Sequence, residues 1–238
     1  MDPYLFHGVV LPERAQLNLH FSVRCMHLHS GVEVRATVSI VLNQVVVWVE
    51  TDKEWDIFDL RNAVSSLVQH HLSMLAFLLG HAYEFSITRV LNRSRNVDWV
   101  FGIDTPLVLD EHPVDDVGAE LLLLRNKTTG PNGVYLNRCF GDLTAALKFP
   151  DDTPFYCYRA LESLRHHAAA VHGLRASSSA DQWAKFREVA NCEKAAIMTI
   201  KDAADGLRHG DPLQFENVDR AEVIRATWRI VRAYVGRI

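Results

Sequence analysis

Cysteine is scarce and scattered: Cys25, Cys139, Cys157 and Cys192 are the only four in 238 residues, and no two form a C-x-x-C pair. That spacing argues against a zinc ribbon, a thioredoxin-like redox site and a dense disulfide framework. Positive charge is not in excess either. The chain has 25 Lys+Arg against 29 Asp+Glu, a net charge of −4, so no overall basic field marks it as a nucleic-acid binder. Long apolar runs are missing. The longest, Leu72 to Leu79, is interrupted by Ser73 and falls far short of the roughly 20 residues a membrane helix needs. The start of the chain carries Asp2 and Pro3 without a basic segment, so no signal peptide is expected. The triplets Asn92-Arg93-Ser94 and Asn126-Lys127-Thr128 then read as chance matches to a glycosylation site. These absences lead to the expectation of a reduced, cytoplasmic protein. With 48% hydrophobic and 23% charged residues, it is globular rather than disordered or repetitive.

Catalytic signatures are absent as well. There is no H-E-x-x-H, G-x-S-x-G, Walker A or G-x-G-x-x-G motif, which removes the usual support for a metalloprotease, a hydrolase elbow, an NTPase or a dinucleotide binder. Twelve histidines raise the question of a metal. His27 and His29 have a spacing that places both rings on one face of a strand, but no Asp, Glu or Cys cluster stands nearby to complete a zinc shell. His71 falls on the apolar face of a helix, as a buried, hydrogen-bonded histidine would. No metal and no cofactor are expected.

What is present is an α+β pattern. Leu17, Leu19, Phe21 and Val23 alternate with polar residues, as a half-buried strand requires. Val32 to Leu42 and Val45 to Val49 are rich in β-branched residues and flank Asn43-Gln44, which predicts a hairpin. Asp56 is a candidate N-cap for a long helix ending at Gly80. Its face of Ile57, Leu60, Val64, Leu67, Val68, Leu75 and Leu78 repeats at helical spacing. Tyr83 to Leu91 and Asp98 to Ile103 predict two more strands, so the N-terminal part reads as three strands, a helix and two strands. A turn-rich passage spans Asp104 to Pro113. A short apolar helix or strand at Leu121 to Leu124 and a loop from Asn126 to Gly133 come next.

Beyond Asn137 only helices are predicted: Arg138–Phe149, Thr153–His172, Ala180–Ala190, Glu193–Leu207 and Asp219–Val235. Ser179 to Gln182 has capping-box spacing. The domains are therefore placed at 1–136 (mixed strand and helix) and 137–238 (an antiparallel helical bundle). Charge divides the same way, −6 in the first part and +2 in the second.

Candidate functional residues lie in the second part. Tyr158, Arg165 and His172 form a row at seven-residue spacing, about 10.5 Å per step along a helix face. Arg159 and Glu162 are spaced to pair at i,i+3. On the last helix Val223, Ile224, Thr227, Ile230, Val231, Tyr234 and Val235 make the buried face. Arg225, Arg229 and Arg232 cluster opposite, within about 60° on the wheel. Three arginines with only Glu222 nearby suit phosphates or an acidic partner.

The segment from Tyr156 to Leu164, Trp183 on the next helix, and Leu207-Arg208-His209-Gly210-Asp211-Pro212 together resemble HEPN-type helical domains, particularly the Apea-like branch. The resemblance covers about residues 137–238. It implies an antiparallel bundle that dimerises and, in active members, metal-independent RNA cleavage in toxin or phage-defence settings. The active pattern is Arg, four to six residues, then His. His209 matches the His, but Asp202, Ala203 and Ala204 occupy the Arg positions, and Arg208 is adjacent instead. The expectation is a nonenzymatic or degenerate module that binds RNA or a protein partner, as a homodimer. The alternatives are a ribonuclease using Arg208 and His209, assisted by Arg165 and His172 across a dimer, and an assembly protein with no nucleic-acid contact.

Overall fold

The computed structural model describes residues 3–26, 31–51, 53–102, 108, 113–211 and 219–238. The chain divides into two compact units, Met1–Asp104 and Thr105–Ile238. The first is built on strands β1 (Tyr4–Leu11), β2 (Leu19–Met26), β3 (Glu33–Val41), β4 (Gln44–Glu50), β5 (Glu84–Asn92) and β6 (Val97–Val100) and one long helix, α1 (Ile57–Leu79). All strand pairs are antiparallel, in the order β2-β3-β4-β1-β5-β6.

Sequence patterning predicts five strands and misses β1, which turns out to lie inside the sheet, between β4 and β5. Its inward residues Tyr4, Phe6 and Val10 are buried, but Leu5, Val9 and Leu11 on the other side are apolar too, so the segment does not alternate. Gly8 marks a close approach, since a Cβ there would lie 2.5 Å from the Ser86 carbonyl oxygen. The β1–β5 register shifts at this point, between His7 and Gly8.

The hairpin turn is Leu42-Asn43, one residue earlier than expected, with both residues at positive φ (47° and 68°). Two left-handed residues match the twist of a tight hairpin. Asn43 is 2% exposed. Its side-chain amide donates to the carbonyls of Pro12 and Glu13, each at 2.9 Å, and its side-chain oxygen accepts from the Leu17 amide. The turn thereby fixes the path from β1 to β2.

Helix α1 begins and ends where its caps predict. The Asp56 carboxylate accepts from the Phe58 amide at 2.8 Å, and Gly80 closes the helix in the left-handed conformation at φ 68°. Leu60, Ala63, Val64, Leu67, Val68 and Leu72 are its buried residues, packed with the inner face of the sheet in one core. That packed face ends at Leu72. Leu75 is only half-buried, and Leu78 is exposed with Met74, Phe77 and Leu79.

The second unit contains α2 (Val117–Lys127), α3 (Gly133–Lys148), α4 (Thr153–Val171), α5 (Ser179–Ala190), α6 (Lys194–Arg208) and α7 (Arg220–Val235). The unit division between Asp104 and Thr105 places α2 and the start of α3 with the helices, where the sequence reading draws its line at residue 136. Much of the turn-rich passage between Asp104 and Pro113 lies outside the described residues. Lys127 anchors α2 by donating to the Val235 carbonyl at 2.6 Å. Helix α3 starts earlier than Arg138 because Gly133 fits against Thr128, whose carbonyl oxygen would lie 1.8 Å from any Cβ.

Helix α4 is central, packing against α3, α5, α6 and α7. Cys157, Ala160, Leu161, Leu164 and Ala168 on its inner stripe share a core with Phe186, Ile200 and Tyr234. Helix α5 is capped one residue earlier than predicted: Ser178 accepts from the Asp181 amide at 3.2 Å and donates to its carboxylate at 2.7 Å. Arg220, in the first turn of α7, donates to the carbonyls of Ala146 and Leu147 at 3.3 and 3.1 Å. It thereby satisfies the C-terminal end of α3.

Candidate functional site

Two of the four residues offered as a catalytic set are brought into one constellation on α4, α5 and α6. Tyr158 and Trp183 stack with ring centroids 6.0 Å apart and planes 25° apart. The Arg208 guanidinium lies 4.8 Å from the Tyr158 ring, and the Arg165 guanidinium lies 5.4 Å from the Trp183 ring. The arrangement is cation, ring, ring, cation, with each charge facing the quadrupole of an aromatic. Tyr158 is buried, and that burial, with Glu162 close by, holds its hydroxyl above the ordinary tyrosine range.

Both cations are also held by their own chain. Arg165 donates to the Ser179 hydroxyl at 3.1 Å, the Gln182 side-chain oxygen at 3.0 Å and His166 Nε2 at 2.8 Å. A guanidinium only donates, so His166 accepts through a neutral ring. Burial and the Arg165 charge accordingly push the His166 pKa down. Arg208 donates to Asp205 at 3.2 Å and lies 3.8 Å from Glu162. Gln182 is itself buried and donates to the carbonyls of Leu174, Arg175 and Ser177. It thus fixes the α4–α5 connection to the Arg165 side chain.

The two histidines of the set stand at helix ends instead. His209 caps α6, is 72% exposed, and its Nε2 lies 3.8 Å from Asp205. His172 is the exposed C-cap of α4, two turns beyond Arg165. Among the described residues no hydrogen bond joins either imidazole to Arg165 or to Tyr158. The constellation positions two cations on an aromatic pair; it does not assemble an imidazole with them.

The expected pairing of Arg159 with Glu162 is not made. Arg159 instead donates to Asp142 on α3 at 2.9 Å, and its guanidinium covers the rings of Phe155 and Tyr156 at 5.1 and 5.5 Å. Asp142 is 4% exposed, with Arg138 3.4 Å from its second oxygen. Burial raises its pKa, and the nearby Arg138 opposes that shift without cancelling it. A long-range partner 17 residues away leaves no local spacing to read. A second buried pair escaped the sequence in the same way: His167 Nδ1 lies 2.8 Å from the Tyr234 hydroxyl.

The α7 stripe is where periodicity put it. The buried face contains the seven residues predicted for it. On the other side, Arg229 and Arg232 are exposed and Arg225 is half-exposed, and Arg229 Nε approaches the Arg225 carbonyl at 3.4 Å. Elsewhere, His71 is half-buried rather than buried. It donates through Nδ1 to the Leu67 carbonyl at 3.0 Å and stacks on Phe21 at 4.0 Å. His27 and His29 lie outside the described residues. Among the described residues no group of three or more His, Cys, Asp or Glu is placed to hold a metal ion, and no helix is long and apolar enough to cross a membrane.

Residues 4–101 match the N-terminal domain, and residues 121–238 the C-terminal domain, of a family described as a domain of unknown function (DUF8168). Together the two matches account for most of the chain. It belongs to the DUF8168 family. No curated protein and no solved structure matches it. The DUF8168 domains fall within the two units of the fold, and the constellation on α4–α6 and the arginine stripe on α7 both belong to the C-terminal domain.

Proposed function

We propose that this DUF8168 protein is a nonenzymatic RNA-binding module, with a HEPN-like C-terminal domain acting in the cytoplasm. One observation carries the reading. Arg165 and Arg208 are committed to the Tyr158–Trp183 stack, while α7 presents Arg225, Arg229 and Arg232 along the side away from its core. Cleaving RNA without a metal needs a base or acid at the ribose 2′-hydroxyl beside a cation on the phosphate. Binding RNA needs only cations spaced along a backbone, which is what α7 offers.

Self-association is part of the reading. Helix α2 buries none of its residues, although Val117, Leu121, Leu122 and Leu123 are all apolar. A helix apolar on several sides is ordinarily covered, and a second copy supplies the cover.

The test is the anisotropy of a labelled single-stranded 12-mer RNA between 50 and 200 mM salt, in EDTA. The expected result is binding that weakens as salt rises, with uncut RNA. The triple variant Arg225→Gln, Arg229→Gln, Arg232→Gln should lower the slope of log K against log salt by about 2, since each lost phosphate contact on a single strand removes about 0.7. Binding that ignores salt, or no binding, favours the assembly reading. Cleavage in EDTA that His209→Ala abolishes favours the ribonuclease.

A further inference from the structure

We propose that Arg61, Phe58, Trp99 and Phe101 form a site on the N-terminal domain for one nucleotide of single-stranded RNA, with its base against the exposed rings and its phosphate on the guanidinium.

Arg61 is a cation that touches an aromatic ring but has no anionic partner among the described residues. Arg61 stands in the second turn of α1, with its guanidinium 5.3 Å from the Phe101 ring. Its Nε is buried and has no hydrogen-bond acceptor. No ion pair or hydrogen bond is made by Arg61 among the described residues, whereas Arg24, Arg89 and Arg95 in the same domain each pair with a carboxylate. Burial alone pulls its pKa down, with no neighbouring charge opposing it. Arg61 is half-buried, and burying its Nε without an acceptor or a nearby anion is costly. A domain that retains a guanidinium in this state is suited to receive an anion from outside.

The surroundings specify what kind of anion. Phe58 and Trp99 are 46% and 45% exposed and meet edge to face with centroids 5.9 Å apart. Phe101 lies 6.0 Å from Phe58 and is parallel to buried Phe6 of β1 at 6.5 Å. Phe58 and Arg61 stand on the first two turns of α1, Trp99 on β6, and Phe101 just after β6 with its amide donating to the Thr88 carbonyl at 2.9 Å, so the rings are in place before any ligand arrives. Exposed rings beside an unmatched guanidinium fit a ligand that is flat at one end and anionic at the other. Stacked bases and arginine-bound phosphates meet both requirements. Stacking on rings reads no base edge, so the site accepts any base.

The identity of the strand rests on the RNA-binding reading above, but the residues are different, so the two can fail separately. The experiment uses the full chain and compares a labelled rA 12-mer with an abasic 12-mer of the same length. Trp99→Leu should weaken the rA 12-mer by about tenfold and leave the abasic strand within twofold. Arg61→Gln should weaken both strands and lower the thermal midpoint by no more than about 2 °C, because it removes one cation–ring contact and no ion pair. If rA and abasic strands bind alike, or if both single variants bind rA as the parent does, the site is overturned while the α7 stripe stands. If the α7 triple variant binds RNA normally and Trp99→Leu does not, the stripe fails and this site stands. Displacement of rA by an acidic Glu/Tyr copolymer at lower concentration than by unlabelled rA would make the ligand a protein and overturn the proposal. A fall of several degrees in the midpoint of Arg61→Gln would make Arg61 a structural residue and overturn it as well.

Discussion

The carboxylate of Asp142 and the guanidinium of Arg159 meet at 2.9 Å across the α3–α4 interface, 17 residues apart in sequence. The pair is asymmetric: the Asp142 side chain is 6% exposed and that of Arg159 is 26% exposed. Removing the arginine strands a buried carboxylate, while removing both leaves an interface that apolar groups can fill. Arg159→Met should therefore cost about 2–3 kcal/mol, somewhat below a fully buried pair because Arg138 remains nearby. The double variant Arg159→Met, Asp142→Leu should recover most of that loss. Urea denaturation of the four proteins gives the coupling energy. If the two single losses simply add, the pair contributes nothing of its own.

His167 and Tyr234 predict the pH dependence. His167 is 5% exposed, and burial, with His172 nearby, lowers its pKa below the ordinary 6.5. In the window between that lowered value and 6.5 the unfolded chain binds the proton that the folded chain refuses. Stability then rises with pH through the window and is lost as pH falls below about 6.5. His166 shifts in the same direction and adds to the effect. Urea midpoints at pH 7.5 and 5.5 should show a drop for the parent and a smaller drop for His167→Gln, which keeps a hydrogen-bonding group beside the Tyr234 hydroxyl. Equal drops in the two proteins would remove His167 from the account.

Asn43 carries a third prediction, since one side chain meets two independent demands. It sits at φ 68°, which asparagine tolerates better than most residues, and its amide bridges the hairpin to Pro12, Glu13 and Leu17. Asn43→Gly keeps the backbone and loses the bridges; Asn43→Ala loses both. The expected order of stability is parent, then Gly, then Ala, with Ala about 3 kcal/mol below the parent from unsatisfied buried groups and strain. Finding Ala at or above Gly would mean that the turn conformation is unimportant here.

Asn43 also shows where the sequence was readable and where it was not. Periodicity located α1 and α4 to α7 within a residue or two, because each buries one stripe and carries recognisable caps such as Asp56, Gly80 and Asp219. It placed the arginines of α7 opposite their core for the same reason. What it missed depends on partners far along the chain. Strand β1 is apolar on both sides and has no alternation to detect. The bridges of Asn43 span 26 to 31 residues, and those of Asp142 and His167 span 17 and 67. Trp183 was legible as a residue of interest, but nothing local indicated that Tyr158 would stack on it with an arginine against each ring.

That stack divides the arginines of the C-terminal domain by job. If Arg208 holds α6 to α4 through Tyr158, Glu162 and Asp205, Arg208→Gln should lower stability by about 1–2 kcal/mol, the combined size of a partly screened ion pair and a cation–π contact. RNA affinity should stay within twofold. Replacing exposed Arg232 on α7 should do the reverse, with stability unchanged within about 0.5 kcal/mol and RNA affinity reduced. Thermal denaturation and anisotropy on the same two variants separate the roles. An Arg208→Gln protein that keeps its stability and loses RNA would move the binding surface from α7 to the α4–α6 constellation, and would bring exposed His209, its neighbour in sequence, back within reach of the bound strand.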